Sequence, residues 1–212
     1  MTIRAALFDL GGVILTSPFS AFERYERDRG LPPGFIAAVN TRNPSDNAWA
    51  RLERGELATT EFGAEFQAEA EALGHAVDGE EVLALLAGEL RPEMVTAVRR
   101  CHEQLLTGLL TNNFSPLGGA DGLGPRRPEV IELFDLFTAV VESSVVGIRK
   151  PDPRFYELAC ERLDVAPEEA VFLDDLGANL KPARAMGMTT IKVIDPADAL
   201  VELEATVGFT LT

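Results

Sequence analysis

The chain has 212 residues, 46% hydrophobic and 25% charged, which is ordinary globular usage and excludes disorder as its main state. Nineteen Lys and Arg against thirty-four Asp and Glu leave a formal charge of −15. So acidic a surface repels phosphate backbones and anionic membranes, so nucleic acid and membrane are both excluded as partners, and an anionic substrate has to be drawn in by a local cation.

A chain of this length buries roughly 70% of its unfolded surface and needs neither disulfides nor a structural metal to fold. Its two cysteines, Cys101 and Cys160, lie in helical contexts read as half-buried. They form no disulfide framework and no zinc signature, which suits a reducing compartment. No apolar run approaches the ~18 residues of a membrane span. Met1 to Leu15 resembles a secretory leader, but Asp9 interrupts it and no small-residue cleavage site follows. The expectation is a cytoplasmic protein, monomer or homodimer.

Ile3 to Phe8 is a short apolar run closed by Asp9 and followed by Gly11-Gly12, the pattern of a buried strand running into a tight turn. From about Pro18 to Leu90 the chain turns polar and helix-forming, with breaks at Pro32-Pro33-Gly34 and Asn43-Pro44-Ser45-Asp46. Three or four helices are predicted there. Met94, Val98, Cys101 and Leu105 follow helical spacing. Thr107 to Leu110 then reads as a strand ending in Thr111-Asn112-Asn113, and the Gly- and Pro-rich stretch Pro116 to Pro128 as a loop beside it. Phe137 to Val141 is a further strand. Asp152-Pro153 is an N-cap with proline at the first helical position, ahead of the stripe Phe155, Leu158, Ala159, Leu163. Ala170 to Leu173 is a strand ending in Asp174-Asp175, Ala178 to Met186 a helix, Thr189 to Val193 a strand and Ala197 to Ala205 a closing helix.

Strands alternating with helices at this spacing imply an α/β fold with a parallel sheet and helices on both faces. The helical block, residues 17–90, is then an insertion after the first strand at the mouth of a core made of 1–16 and 91–212. In such sheets ligands bind beyond the carboxyl ends of the strands. Asp9, Thr111 and Asp174 are each the first polar residue after an apolar strand, so three strands aim polar groups at one crevice.

With Asp175, Asn112 and Lys150 the set holds three carboxylates, a hydroxyl, an amide and an ammonium. Clustered carboxylates without histidine or thiolate suit a hard cation such as Mg²⁺. A carboxylate is also able to attack phosphorus and form an acyl phosphate, while Lys150, Thr111 and Asn112 hold the phosphoryl oxygens. Each residue alone has a plainer reading: Asp9-Leu10-Gly11 as a turn, Lys150 as a surface lysine, Asp174-Asp175 as a helix cap. Their joint order is what four unrelated turns rarely supply.

The stretches Ala6-Leu7-Phe8-Asp9-Leu10-Gly11-Gly12-Val13-Ile14, Leu110-Thr111-Asn112, Gly147-Ile148-Arg149-Lys150-Pro151-Asp152-Pro153 and Val171-Phe172-Leu173-Asp174-Asp175 resemble, in order, the four motifs of the haloacid dehalogenase-like (HAD) hydrolase superfamily. Phe172 to Arg184 and the segment Arg51 to Leu57 are closest to the N-terminal phosphatase domain of soluble epoxide hydrolases. The resemblance covers essentially the whole chain. It implies a Rossmann-like core with a helical cap and a Mg²⁺-dependent phosphatase acting on a small phosphorylated molecule through an aspartyl-phosphate on Asp9. It further implies Asp9, the Gly11 carbonyl, Asp174 and Asp175 around the metal, Lys150 as the nucleophile's charge partner, and Asn179 as a support.

Family phosphatases usually carry a second aspartate two residues after the nucleophile, as general acid and base; here that residue is Gly11. Such a group is typically worth ~10²–10⁴-fold in rate. Slow turnover, phosphoenzyme accumulation and a preference for aryl and acyl over alkyl phosphates follow. Two alternatives stay open. Metal-independent dehalogenases of the superfamily also lack the second aspartate, but carry an aromatic residue there. A non-catalytic relative that binds a phosphorylated ligand is favoured by Gly11. His75 and His102 have no placed partner, and Trp49, Phe62 and Phe66, at helical spacing, read as cap core.

Overall fold

In the computed structural model the described residues are 2–112 and 132–211. Asn113 and the loop expected over Pro116 to Pro128 lie outside them.

Five strands, β1 (Ala5–Phe8), β2 (Leu106–Thr111), β3 (Ala139–Glu142), β4 (Ala170–Asp174) and β5 (Thr189–Lys192), form one sheet in the order β3-β2-β1-β4-β5. Every pairing is parallel. All residues of β1 and β4 are buried, as expected of strands covered on both sides, which is why each reads as an unbroken apolar run. The chain moves outward from β1 through β2 to β3, then returns past β1 to β4 and β5. This reversal makes β1 the switch point, where the carboxyl ends of its neighbours part and leave a crevice.

Side chains alternate across the sheet. Ala6 and Phe8 face Met94, Val98 and Cys101 of α6 (Pro92–His102) and Leu200 and Leu203 of α10 (Pro196–Val207). Ala5 and Leu7 face Phe155, Tyr156 and Leu163 of α8 (Pro153–Leu163) and Leu180 and Ala183 of α9 (Gly177–Ala185). Each fully buried leucine or phenylalanine here stabilises by roughly 1.5–3 kcal/mol. Both cysteines lie inside these two layers and are buried, not half-buried, because each sits on the apolar stripe of an amphipathic helix. The predicted N-cap at Asp152 is formed, its carboxylate accepting from Arg154 N at 3.0 Å.

Between Pro18 and Leu90 there are five helices, not three or four: α1 (Phe19–Arg29), α2 (Phe35–Arg42), α3 (Ala48–Glu53), α4 (Thr59–Glu71) and α5 (Gly79–Ala84). Two of them, α3 and α5, have six residues each, too few for a helical period to show. The five share an apolar core of their own, including Phe22, Ile36, Leu52, Phe62, Phe66 and Val82, with Trp49 packed against it. The two chain crossings into this block are stitched together, Thr16 N donating to Glu89 O at 2.8 Å and Arg91 N to Ile14 O at 2.9 Å. His75 packs edge-on against Phe35, and His102 lies 3.4 Å from the Thr107 hydroxyl. The short α7 (Ser143–Val146) follows β3. Among the described residues no helix is long and apolar enough to cross a membrane.

Candidate active site

Asp9 extends the β1–β4 ladder by one residue, its N–H donating to Leu173 O at 2.9 Å. Its Oδ1 accepts from the Leu10 N–H at 2.7 Å. The chain then winds through an irregular turn, Leu10–Ile14, in which Gly12 has φ +75°. A Cβ on Gly12 would lie 2.0 Å from Asp175 Oδ2, so both the backbone conformation and the close approach require glycine here. At Gly11 a Cβ would meet nothing within 4 Å. The space for a side chain two residues after Asp9 is therefore open.

Asp174 ends β4 and is wholly buried. Its carboxylate accepts from Lys150 Nζ at 2.7 Å, through both oxygens from Asn179 Nδ2 at 3.0 Å, and from the Leu176 N–H at 2.8 Å. Asp175 follows at once, and Ser17 Oγ donates to its Oδ2 at 3.3 Å. Carboxylate oxygens of Asp9, Asp174 and Asp175 all lie within 4.8 Å of one another.

Lys150 is no surface lysine. Its side chain is 0% exposed, and its Nζ bridges Asp9 Oδ1 at 2.9 Å and Asp174 Oδ2 at 2.7 Å, 5.5 Å from the centre of the Phe172 ring. Its backbone is held from both ends by Asn112, whose Oδ1 accepts from Lys150 N at 2.9 Å while Nδ2 donates to Lys150 O at 3.0 Å. The amide of Asn112 is thus turned toward the Lys150 backbone. Thr111 is buried at the end of β2, in register with Glu142 of β3 and on the strand beside β1.

Burial pushes the Asp9 carboxyl well above the ordinary carboxylate range; the pull of Lys150 opposes this, and repulsion from Asp174 adds to it. Burial, with Asp174 next to it, raises Asp175 to about 6. Burial alone would lower Lys150, but Asp174 and Asp9 outweigh it and hold the ammonium above its usual value. Three carboxylates against one ammonium leave excess negative charge in a buried place. Oxygen donors at this spacing fit a hard divalent cation, which would relieve that excess.

Several contributors to the site are not among its predicted residues. Tyr156 donates from its hydroxyl to Asn179 O at 2.7 Å and so braces the residue that holds Asp174. Glu53, the last residue of α3, is buried and accepts from Trp49 Nε1 at 3.0 Å, from Arg149 and from Asn112 Nδ2 at 3.4 Å. Arg149 also donates to Pro44 O at 2.9 Å. Glu53 and Arg149 are 96 positions apart, so no local pattern links them.

Acyl-CoA dehydrogenase family member 10 of Mus musculus is 38% identical over 98% of this chain. Bifunctional epoxide hydrolase 2 of Sus scrofa is 34% identical over 100% of it. The chain spans only 19% and 40% of those two proteins. Sesquiterpene phosphatase astK of Aspergillus oryzae is 28% identical, with 98% of both chains covered. Among solved structures, a HAD family enzyme of Bacteroides thetaiotaomicron in complex with magnesium and inorganic phosphate superposes with TM-score 0.56 at 20% identity, over 90% of this chain and 93% of that one. Phosphatases thus stand among its relatives. The sequence matches the family described as haloacid dehalogenase-like hydrolase over residues 3–187, and the chain belongs to that family of hydrolases.

Proposed function

We propose that the chain is a magnesium-dependent phosphatase that cleaves small phosphomonoesters through an aspartyl-phosphate on Asp9, with the helices of residues 17–90 as a cap over the crevice. The observation that carries this reading is the Lys150 ammonium, buried between Asp9 and Asp174 with Asp175 alongside. A structural ion pair needs one carboxylate; a lysine shared by two, beside a third, suits a site built to receive additional charge.

Asp9 attacks phosphorus with its carboxylate, the bond from phosphorus to the leaving oxygen breaks, and the leaving group departs with the electron pair. Lys150 neutralises charge on Asp9 and the arriving phosphoryl group, and Thr111 with the backbone N–H groups after Asp9 holds the phosphoryl oxygens. Water then attacks the phosphorus of phospho-Asp9 and releases inorganic phosphate, regenerating the carboxylate. Asp9, Asp174, Asp175 and the Gly11 carbonyl would hold Mg²⁺, which when bound supplies further neutralisation of the phosphoryl charge. Asn112 serves the site through the backbone of Lys150 that it holds.

With glycine at position 11 no side chain there hands a proton to the leaving oxygen or takes one from the hydrolytic water. Aryl and acyl phosphates, whose leaving groups depart unprotonated, are therefore the favoured substrates, and hydrolysis of phospho-Asp9 is the slow step. The test is a panel of aryl, acyl and alkyl phosphates assayed with and without Mg²⁺ on the wild type and Asp9→Asn. The reading expects turnover of aryl and acyl esters that needs both Mg²⁺ and Asp9. Turnover indifferent to chelator, or unchanged in Asp9→Asn, contradicts it. The open space at Gly11 also favours a second reading, a non-catalytic phosphate binder, which predicts saturable phosphate binding with no ester turned over.

A further inference from the structure

We propose that Glu53 is a positioning residue, its carboxylate transmitting the seating of the helical block to the backbone of Lys150 by way of Asn112 and Arg149. The inference rests on the reading of Lys150 as the charge partner of Asp9.

Glu53 belongs to the helical block, yet its partners lie largely in the sheet domain. Its side chain is 11% exposed and that of Arg149 21%, so this ion pair is far more desolvated than the pairs on the outer surface of the block. Burying a carboxylate is expensive, and an apolar contact would join two layers at least as well. What the carboxylate gives beyond adhesion is direction. Asn112 has one amide oxygen and two amide hydrogens, and all three are committed: the oxygen to Lys150 N, one hydrogen to Lys150 O, the other toward Glu53. Without the acceptor on Glu53, the amide loses the contact that favours its present orientation on the helical-block side. Arg149, directly before Lys150 in the chain, is held at the same time by Glu53 and by Pro44 O. The residue before Lys150 and the side chain bracketing Lys150 are thus tied to one carboxylate from across the crevice.

Lys150 needs such control because its Nζ must sit between two carboxylates at 2.9 and 2.7 Å. The ammonium hangs on a flexible stem, so its place is set from the backbone. Trp49 anchors the far side of Glu53 through its indole N–H and stacks edge-on with Phe62 and Phe66 in the core of the block. As the single tryptophan of the chain, it is also an optical reporter of the clasp.

The experiment measures kcat and KM for p-nitrophenyl phosphate with Mg²⁺ in wild type, Glu53→Gln, Arg149→Gln, the double variant and Arg29→Gln. All are assayed at a temperature where circular dichroism shows every variant fully folded. Trp49 emission is recorded on the same samples. Glu53→Gln keeps the shape and an acceptor oxygen but removes the charge. Each single change at the clasp is expected to lower kcat about tenfold or more with KM within about threefold, as misplacement of a charge-stabilising group does. The double variant should lose no more than the worse single, because the two side chains act as one unit. Arg29→Gln, which breaks an exposed pair with Glu81 inside the block, should leave kcat unchanged. Unchanged kcat in both folded single variants, or losses that multiply in the double, overturns the proposal. If wild type turns over no ester, the phosphatase reading fails, and the clasp is decided by emission alone. Arg149→Gln, which does not touch the indole, then shifts the Trp49 spectrum if the clasp exists, and an unshifted spectrum overturns it.

Discussion

Opposite charges meet in two very different settings in this molecule. At the carboxyl ends of β1 and β4, Lys150 and Asp174 have side chains 0% exposed, and Asp9 is 12% exposed. On the outside of the helical block, Arg29 and Glu81 pair with side chains 54% and 42% exposed. The second arrangement exchanges solvation for little gain, and a typical exposed pair is worth ~0–1 kcal/mol. The first requires each charge to have its partner, because a buried charge left alone costs several kcal/mol. A fold that needed only stability would fill the end of the crevice with apolar side chains. Concentrated buried charge at a topological switch point marks where chemistry, not stability, set the residues.

The largest break in this contrast is Lys150→Met. It leaves Asp9 and Asp174 without their cation, and ~3–5 kcal/mol of stability is expected to go, together with all measurable turnover; denaturant unfolding and an ester assay read both. Asp9→Asn should separate the two effects. It removes one of three mutually repelling carboxylates, so turnover is lost while the unfolding midpoint holds or rises. A midpoint falling as far as that of Lys150→Met would show that Asp9 is needed for the fold itself.

Gly11→Asp sharpens the other side of the comparison, because a Cβ there meets nothing within 4 Å. It should raise kcat on every ester by speeding hydrolysis of phospho-Asp9, and raise kcat/KM, which reports the first phosphoryl transfer, by ~10²-fold or more on an alkyl phosphate but little on aryl esters. Equal gains in kcat/KM on both would remove the leaving-group argument. Gly12→Ala, one residue later, acts in the opposite direction. With φ +75° and Asp175 Oδ2 only 2.0 Å from the new Cβ, a strain of about 1–3 kcal/mol and displacement of Asp175 are expected; calorimetric titration with Mg²⁺ should show weakened binding. Smallest of all, Arg29→Gln should shift stability by no more than ~1 kcal/mol and leave turnover alone.

The sequence shows the sheet because strands buried on both faces have to be apolar throughout. The first polar residue after each strand, Asp9 or Asp174, then marks the rim of the crevice. Lys150 is legible only as one member of a set, since nothing local distinguishes a buried lysine from a solvated one. Asn179 comes from the family resemblance, and its bonds to Asp174 show why an amide suits that place: both carboxylate oxygens accept from Nδ2. The five helices of residues 17–90 are less legible because α3 and α5 have six residues each, too few for a helical period to show. The clasp of Glu53 and Arg149 is invisible along the chain because it exists only once the helical block packs onto the sheet. Tyr156 follows Phe155 of the apolar stripe of α8, and nothing local marks that its hydroxyl is committed to Asn179 O.

The most direct measurement is an acid quench of enzyme mixed with an excess of p-nitrophenyl phosphate and Mg²⁺, followed by mass spectrometry of the peptide holding residues 5–14. With no side chain at position 11 to activate water, the phosphoryl group should be found on Asp9, alongside a burst of nitrophenol that matches the enzyme concentration. Steady turnover from the first cycle, with Asp9 unmodified at every time point, would contradict nucleophilic attack by this aspartate.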